Sequence, residues 1–332
     1  MSPAPLTLDR FILEEQRTFP GSTGELSLLL MRLGVAAKRI ASALARAGLT
    51  GSYGSAGTDN VQGEEQKKLD VLANEILLET FDYGGLVSVA ASEEMEEPFV
   101  YRGSLEQGRY AVLFDPMDGS SNIDCNGTLG TIFSIRHRRD GTVRDLLRPG
   151  HEQVAAGYVL FGPAVILVYT SGDGVHLFTL DPMIGEFLLA RRDVRMPEKG
   201  KGYAVNEGRA HKWSPGVRAF VERLKTPEPG SGRVYSTRYS ASMVADVHRF
   251  LLEGGIYLYP GDGKTNGRGA GKLRVLYECH PLAFVVEHAG GRASTGTERV
   301  LDVAPETLHE RMPLAIGSRA EVELFESYAA RE

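Results

Sequence analysis

The chain has 332 residues, 42% hydrophobic and 24% charged, with a net charge of −6, the balance of a soluble globular protein with room for two modest domains. An acid surplus leaves no basic field for nucleic acid or an anionic membrane, no apolar run reaches spanning length, and the start MSPAPLTLDR lacks a signal-peptide pattern. Two cysteines, Cys125 and Cys279, make no disulfide framework, so a cytoplasmic, reducing setting with both thiols buried and inert is expected.

Ser22 to Glu25 has the spacing of a capping box, and Leu26, Leu30, Leu33, Ala37, Ile40, Leu44 and Ala47 then recur at helical steps up to Gly48. Packing explains that periodicity. A glycine in the first turn, Gly24, would leave a bare helix start able to receive an anion. Gly51 to Gly63, with four glycines and almost no apolar anchor, reads as a mobile loop. Glu64 to Phe81 returns to helical spacing and puts Glu64 and Asp70 near its start.

Leu86 to Ala91 is a strand-like run that ends in Ser92-Glu93-Glu94. Tyr110 to Phe114 is another, ending in Asp115-Pro116-Met117-Asp118-Gly119-Ser120-Ser121. Proline should stop the ladder at Asp115, and Gly-Ser-Ser has the composition of an anion-binding nest. Two carboxylates one turn apart call for a cation between them, and oxygen ligands suit Mg2+ or Mn2+. Spacing alone leaves a plain strand–turn–helix junction equally open.

From Thr131 to Leu189 the texture is that of hairpins, with turns at Asp140-Gly141, Gly162-Pro163 and Gly172 to Gly174, which implies a mixed or antiparallel sheet. Composition turns polar around Arg191 to Lys201, a candidate boundary between units of 1–195 and 196–332. The second unit alternates Met243–Leu252 helix, Ile256–Tyr259 strand, Pro281–His288 helix and Leu314–Ile316 strand. Gly261 to Lys272 fails the P-loop pattern, because Leu273 follows the lysine, and reads as a flexible loop.

The run FDPMDGSSNIDC (114–125) resembles class I fructose-1,6-bisphosphatases, and its DPxDGS core is shared with inositol monophosphatase-like enzymes. GKLRVLYECHP (271–281) is the more discriminating match, with His280 where the family usually has asparagine. Thr23 to Leu26, Gln66 to Asp70, Tyr203 to Gly208, Arg238-Tyr239, Ser242 to His248 and Gly254 to Pro260 follow in the same order, so the resemblance covers nearly the whole chain.

It implies a two-domain α/β sugar phosphatase fold with helix and sheet layers alternating as αβαβα and the active site between the domains. The implied activity is hydrolysis of fructose 1,6-bisphosphate to fructose 6-phosphate and phosphate, serving gluconeogenesis. Two to three Mg2+ (or Mn2+) ions would be held by Glu93, Asp115, the Met117 carbonyl, Asp118 and Glu278, with Glu64 completing a further site. Asp70 and Glu94 would polarise the attacking water. Asp118, Gly119, Ser120 and Ser121 would hold the 1-phosphate beside Lys272 and Arg274. Asn206, Tyr239 and Tyr259 would hold the 6-phosphate, with Arg209 as a further contact at a position where vertebrate-like members of the family carry tyrosine. Arg238 would reach it across a subunit interface, implying a homotetramer. Thr23, Gly24, Glu25, Leu26, Ser27, Arg109 and Tyr110 resemble an AMP pocket whose arginine falls at His137, beside Arg136. The alternatives are a dual fructose-1,6-/sedoheptulose-1,7-bisphosphatase, an inositol monophosphatase-like enzyme, and a non-catalytic sugar-phosphate or nucleotide sensor.

Overall fold

Long apolar strands that alternate with amphipathic helices can hide their surface only by stacking in layers, and the chain does so five deep. A computed structural model describes residues 5–59, 65–82, 84–101, 108–139, 143–228, 230, 232, 234–261 and 271–330. In chain order come α1 (Leu8–Gln16), α2 (Glu25–Thr50), β1 (Ser55–Asp59), β2 (Glu65–Lys67), α3 (Lys68–Asp82), β3 (Val87–Ser92), β4 (Phe99–Val100), β5 (Tyr110–Asp118) and β6 (Leu129–His137). There follow β7 (Gln153–Phe161), β8 (Val165–Thr170), β9 (His176–Asp181), β10 (Glu186–Arg191), β11 (Gly202–Ala204), α4 (Pro215–Lys225), β12 (Ser236–Thr237) and α5 (Met243–Glu253). The last are β13 (Gly255–Tyr259), β14 (Leu273–Arg274), α6 (His280–His288), β15 (Arg292–Ser294), β16 (Arg311–Met312), β17 (Leu314–Gly317) and α7 (Arg319–Ala329).

The larger sheet has the order β10-β9-β8-β7-β6-β5-β3-β4, antiparallel except where β3 runs parallel to β5. Helices α1, α2 and α3 cover one face, burying Phe11, Leu33, Phe81 and Phe133 in one core. Against the other face lie α5 and α6, which also pack on the second sheet, β12-β11-β13-β17-β15. Helices α4 and α7 close the far side around Phe220, Val322 and Phe325. The order helix, sheet, helix, sheet, helix is the one the resemblance implied.

Local differences have physical reasons. Helix α2 has no capping box. Gly24 is its N-cap at φ 82°, with no side-chain cap, while Thr23 Oγ1 donates to Glu25 at 3.0 Å. The helix runs past Gly48 to close at Gly51, whose φ of 68° suits glycine. Part of the expected mobile loop is strand, since Ser55–Asp59 pairs antiparallel with Glu65–Lys67. Residues 60–63 of it lie outside the described residues, as do Asp140-Gly141 and residues 262–270 of the second glycine-rich stretch. Pro116 does not end β5. The ladder shifts register between Asp115 and Asp118, a bulge that accommodates proline, and Thr131 Oγ1 donates to the Pro116 carbonyl at 2.8 Å. A π-helical turn, Val275–Cys279, precedes α6. Of the two thiols, Cys279 is buried and Cys125 is exposed, which corrects the expectation for the latter.

Candidate active site

Strand ends bring three acids together. Glu93 follows β3, Asp115 sits at the β5 bulge, and Glu278 lies on the π-helical turn. All three are buried, and one carboxylate oxygen of each lies within 4.8 Å of the others. Burial, then repulsion from Glu93, holds Asp115 well above the usual carboxylate range and pushes Glu278 to about 8. Arg274 is the positive charge on hand, its Nη1 2.8 Å from Glu93 Oε1, while its backbone N–H donates to Glu278 Oε2 at 2.6 Å. Once ionised, three buried carboxylates outnumber the one guanidinium, and a divalent cation would neutralise the surplus and displace their protons. Oxygen-only donors at this spacing suit a hard ion such as Mg2+ or Mn2+, so these residues fit a metal.

Asp118, near enough to repel Asp115 and Glu278, is bonded to the start of α5. It accepts from Ser242 Oγ at 2.6 Å, Val244 N at 2.9 Å and Met243 N at 3.2 Å. Burial raises its pKa and these donors pull it down. Those partners escape a sequence reading because 124 residues separate Ser242 from Asp118. Met117 is buried, and its N–H donates to Asp115 Oδ1 at 2.9 Å.

Beside the acids, Gly119 at φ 79° leads into a 3-10 turn, Ser120–Asn122, that has no side-chain cap. Amides in such a first turn lack helical acceptors, so the turn can receive an anion. Gly119 also has no room for a Cβ, which would stand 2.8 Å from the Ser242 Cβ.

Asp70 and Glu94 complete the acidic wall. Asp70 is buried in the first turn of α3, where its Oδ2 accepts from Lys67 N at 2.8 Å. Its Oδ1 has no hydrogen-bond partner among the described residues. Burial, partly offset by the Lys67 N–H and reinforced by Glu94, lifts its pKa to about 7. Gln66 Nε2 donates to Glu94 Oε2 at 2.6 Å, a role that the sequence reading had not given Gln66. Glu64 lies outside the described residues.

A cavity of about 200 Å³ opens between β13 and the 3-10 turn Glu207–Lys212. Asn206, Arg209, Tyr259 and Lys272 line it, together with Lys212 and Trp213, which the sequence reading missed. The clue was available, since Lys212 follows Arg209 by three residues on one short turn. The Arg209 guanidinium lies 5.9 Å from the centroid of the Tyr259 ring. Tyr239 hydrogen-bonds Asn206, and burial and Tyr259 raise its pKa. Arg238 is not part of this cavity. It lines a separate groove with Lys201, Arg249 and Glu253, and its Nη1 donates to the Thr237 carbonyl at 2.8 Å. Lys272 and Arg274 serve different places, one the cavity and one the buried acids.

At the far end of β5, Glu25 lies 3.2 Å from Arg109, and Tyr110 stacks on His137 with centroids 5.3 Å apart. Leu26 is partly buried against the core and Ser27 is buried in the same first turn of α2. Arg136, next to His137, points to the opposite face. It is fully buried, donates to the Arg148 carbonyl at 2.7 Å and meets His280 Nδ1 at 3.0 Å.

Five alternating layers with an acid cage at the strand ends place the chain among the layered α/β sugar phosphatases. Residues 6–192 match the family model "Fructose-1-6-bisphosphatase, N-terminal domain" and residues 196–330 match its C-terminal counterpart. A class 1 fructose-1,6-bisphosphatase of Thermosynechococcus vestitus is 48% identical over 97% of this chain and 92% of the relative. A cytosolic fructose-1,6-bisphosphatase of Brassica napus is 48% identical over 98% of this chain and 96% of its own. The holo crystal structure of the Leishmania major fructose-1,6-bisphosphatase superposes with a TM-score of 0.91 at 39% identity, covering 99% of this chain and all of that one. The chain belongs to the fructose-1,6-bisphosphatase family.

Proposed function

We propose that this protein hydrolyses fructose 1,6-bisphosphate to fructose 6-phosphate and phosphate with the help of Mg2+. The observation that carries this reading is the buried cluster of Glu93, Asp115 and Glu278. Those three, the Met117 carbonyl and Asp118 would hold the metal, and Glu64 would add a further ligand. When bound, the cation supplies Lewis-acid charge to phosphoryl oxygens and lowers the pKa of water.

The protein's own residues do the rest. Asp70, with a pKa of about 7, is half ionised near neutrality and takes the proton of the attacking water. Glu94, tethered by Gln66, holds that water in line. The amides of Gly119, Ser120 and Ser121 receive the 1-phosphate and Arg274, beside the acids, offsets its charge, while Lys272 lies in the cavity that takes the 6-phosphate. Asn206, Arg209, Tyr239 and Tyr259 hold the 6-phosphate, which orients the scissile end. A mere sugar-phosphate sensor would need the phosphate contacts but not the water-activating acids Asp70 and Glu94.

A second reading, a dual enzyme that also accepts sedoheptulose 1,7-bisphosphate, is favoured by Arg209 and Lys212 in the cavity, because two long cations can follow a phosphate one carbon further out. The GKLRVLYECHP segment stands against an inositol monophosphatase-like activity. Two units, 1–195 and 196–332, a homotetramer in which Arg238 reaches a neighbouring active site, and a cytoplasmic location belong to the same reading. It includes an AMP pocket at Thr23 to Ser27, Arg109 and Tyr110. Among the described residues no helix is long and apolar enough to cross a membrane.

Phosphate release from fructose 1,6-bisphosphate, sedoheptulose 1,7-bisphosphate and inositol 1-phosphate, with and without Mg2+, tests the activity and its metal dependence. Release from the first only with metal is expected. No release from it with either Mg2+ or Mn2+ overturns the proposal.

A further inference from the structure

The metal cage is assembled from two distant parts of the chain, and one short segment is bonded to both. Glu93 and Glu94 sit on the turn after β3, which is tied to its own strand and to β5 by Met95 N to Ser92 O at 3.3 Å and Glu93 N to Phe114 O at 3.1 Å. Glu278 belongs to the π-helical turn, and Tyr277 precedes it. Segment 309–312 spans the gap. His309 Nε2 lies 2.9 Å from the Met95 carbonyl oxygen, and the His309 ring packs against Tyr277 with centroids 5.4 Å apart. One residue on, the Glu310 carbonyl accepts from Val275 N at 2.9 Å, and Arg311 pairs with Arg274 across β14 and β16. Leu308 packs against the buried cluster that contains Leu113, Leu276 and Tyr277.

A carbonyl can only accept, so His309 is the donor and carries its proton on Nε2. Burial lowers the His309 pKa, which keeps the ring in this neutral form. Met95 is two residues from Glu93 and one from Glu94. The bond therefore fixes the acidic turn against the Glu278 side, where displacements of about half an ångström spoil a metal site. We propose that His309 is a positioning residue that sets the spacing between the Glu93–Glu94 turn and Glu278, and with it the affinity of the cage for a divalent cation. This rests on the metal-cage reading above.

The test uses full-length protein stripped of metal and titrated with Mn2+, the free ion being followed by electron paramagnetic resonance. His309→Leu keeps bulk and loses the donor. Its Mn2+ affinity is expected to fall about tenfold, the range that supporting residues of metal sites show. His309→Gln keeps an N–H at the reach of Nε2 and should stay within about threefold of the parent protein. Should the leucine variant fail to fold, His309→Asn, too short to reach Met95, replaces it and should weaken binding equally. Unchanged Mn2+ affinity in the leucine or asparagine variant overturns the proposal, and so does a glutamine variant as weak as they are. A parent protein that binds no Mn2+ overturns instead the metal cage on which the proposal rests.

Discussion

On the reading proposed above, Asp70 is the carboxylate that takes the proton of the attacking water. Desolvation raises its pKa to about 7, and the raised value is what lets it accept a proton near neutrality. A base must be ionised, so turnover at saturating Mg2+ should be full above about pH 8 and fall as pH drops through 7. Asp70→Asn should lower kcat by roughly 10²–10⁴-fold and abolish that acid limb. A variant that keeps the limb places the titration elsewhere. Gly119 carries a different constraint. Its positive φ and the 2.8 Å contact that a Cβ would make with Ser242 predict that Gly119→Ala loses about 1–3 kcal/mol of stability and raises KM. Thermal melting and initial rates on the same preparation check both. The nest was legible in Asp-Gly-Ser-Ser, because glycine and serine carry their conformational preferences locally. The crowding by Ser242 was not, since it depends on a helix more than a hundred residues away.

Strand β5 and helix α5 explain why a local reading of Asp118 falls short. Its carboxylate accepts three hydrogen bonds from the start of α5, so it staples the helix layer to the strand that also carries Asp115. The resemblance makes it a metal ligand and a 1-phosphate contact and gives it no part in holding α5. With an amide turned towards these donors, Asp118→Asn should lose about 1–3 kcal/mol of stability as well as most turnover. Melting at the parent temperature would disprove the staple. The opposite end of β5 bears on regulation. Arg109 pairs with Glu25, and His137, not an arginine, faces Tyr110. Arg136 cannot substitute, since strand alternation sends it into the core against His280. His137→Arg should therefore lower the half-inhibitory AMP concentration on the order of tenfold, through a charge-assisted contact to phosphate. Equal sensitivity of the two proteins in an AMP titration would show that the pocket is not built as the resemblance implies.

Most helices and strands were readable because their periodicities are local, whereas the order of the layers came from the family resemblance. Pro116 was misjudged because a bulge is settled by the neighbouring strand β6, and the β1–β2 hairpin was hidden by glycines and polar residues that carry no apolar alternation. What no periodicity reveals is that acids from separate strands and a π-helical turn converge in one buried place. That convergence has a thermodynamic consequence for the entire fold. Asp115, Asp118 and Glu278 all have folded-state pKa values above their ordinary ones, Glu278 at about 8. Protons are then bound more tightly by the folded than by the unfolded chain. The stability that this provides is fully present below the ordinary carboxylate range of about 4 and is lost as pH rises through about 8. A divalent cation reverses the slope, because it binds the ionised acids of the folded state and competes with their protons. The rise in Tm on adding Mg2+ to metal-free protein should therefore be small at about pH 5.5 and several degrees larger at about pH 8. An increment that is equal at both pH values, or larger in acid, would mean that the cation binds somewhere other than this cluster.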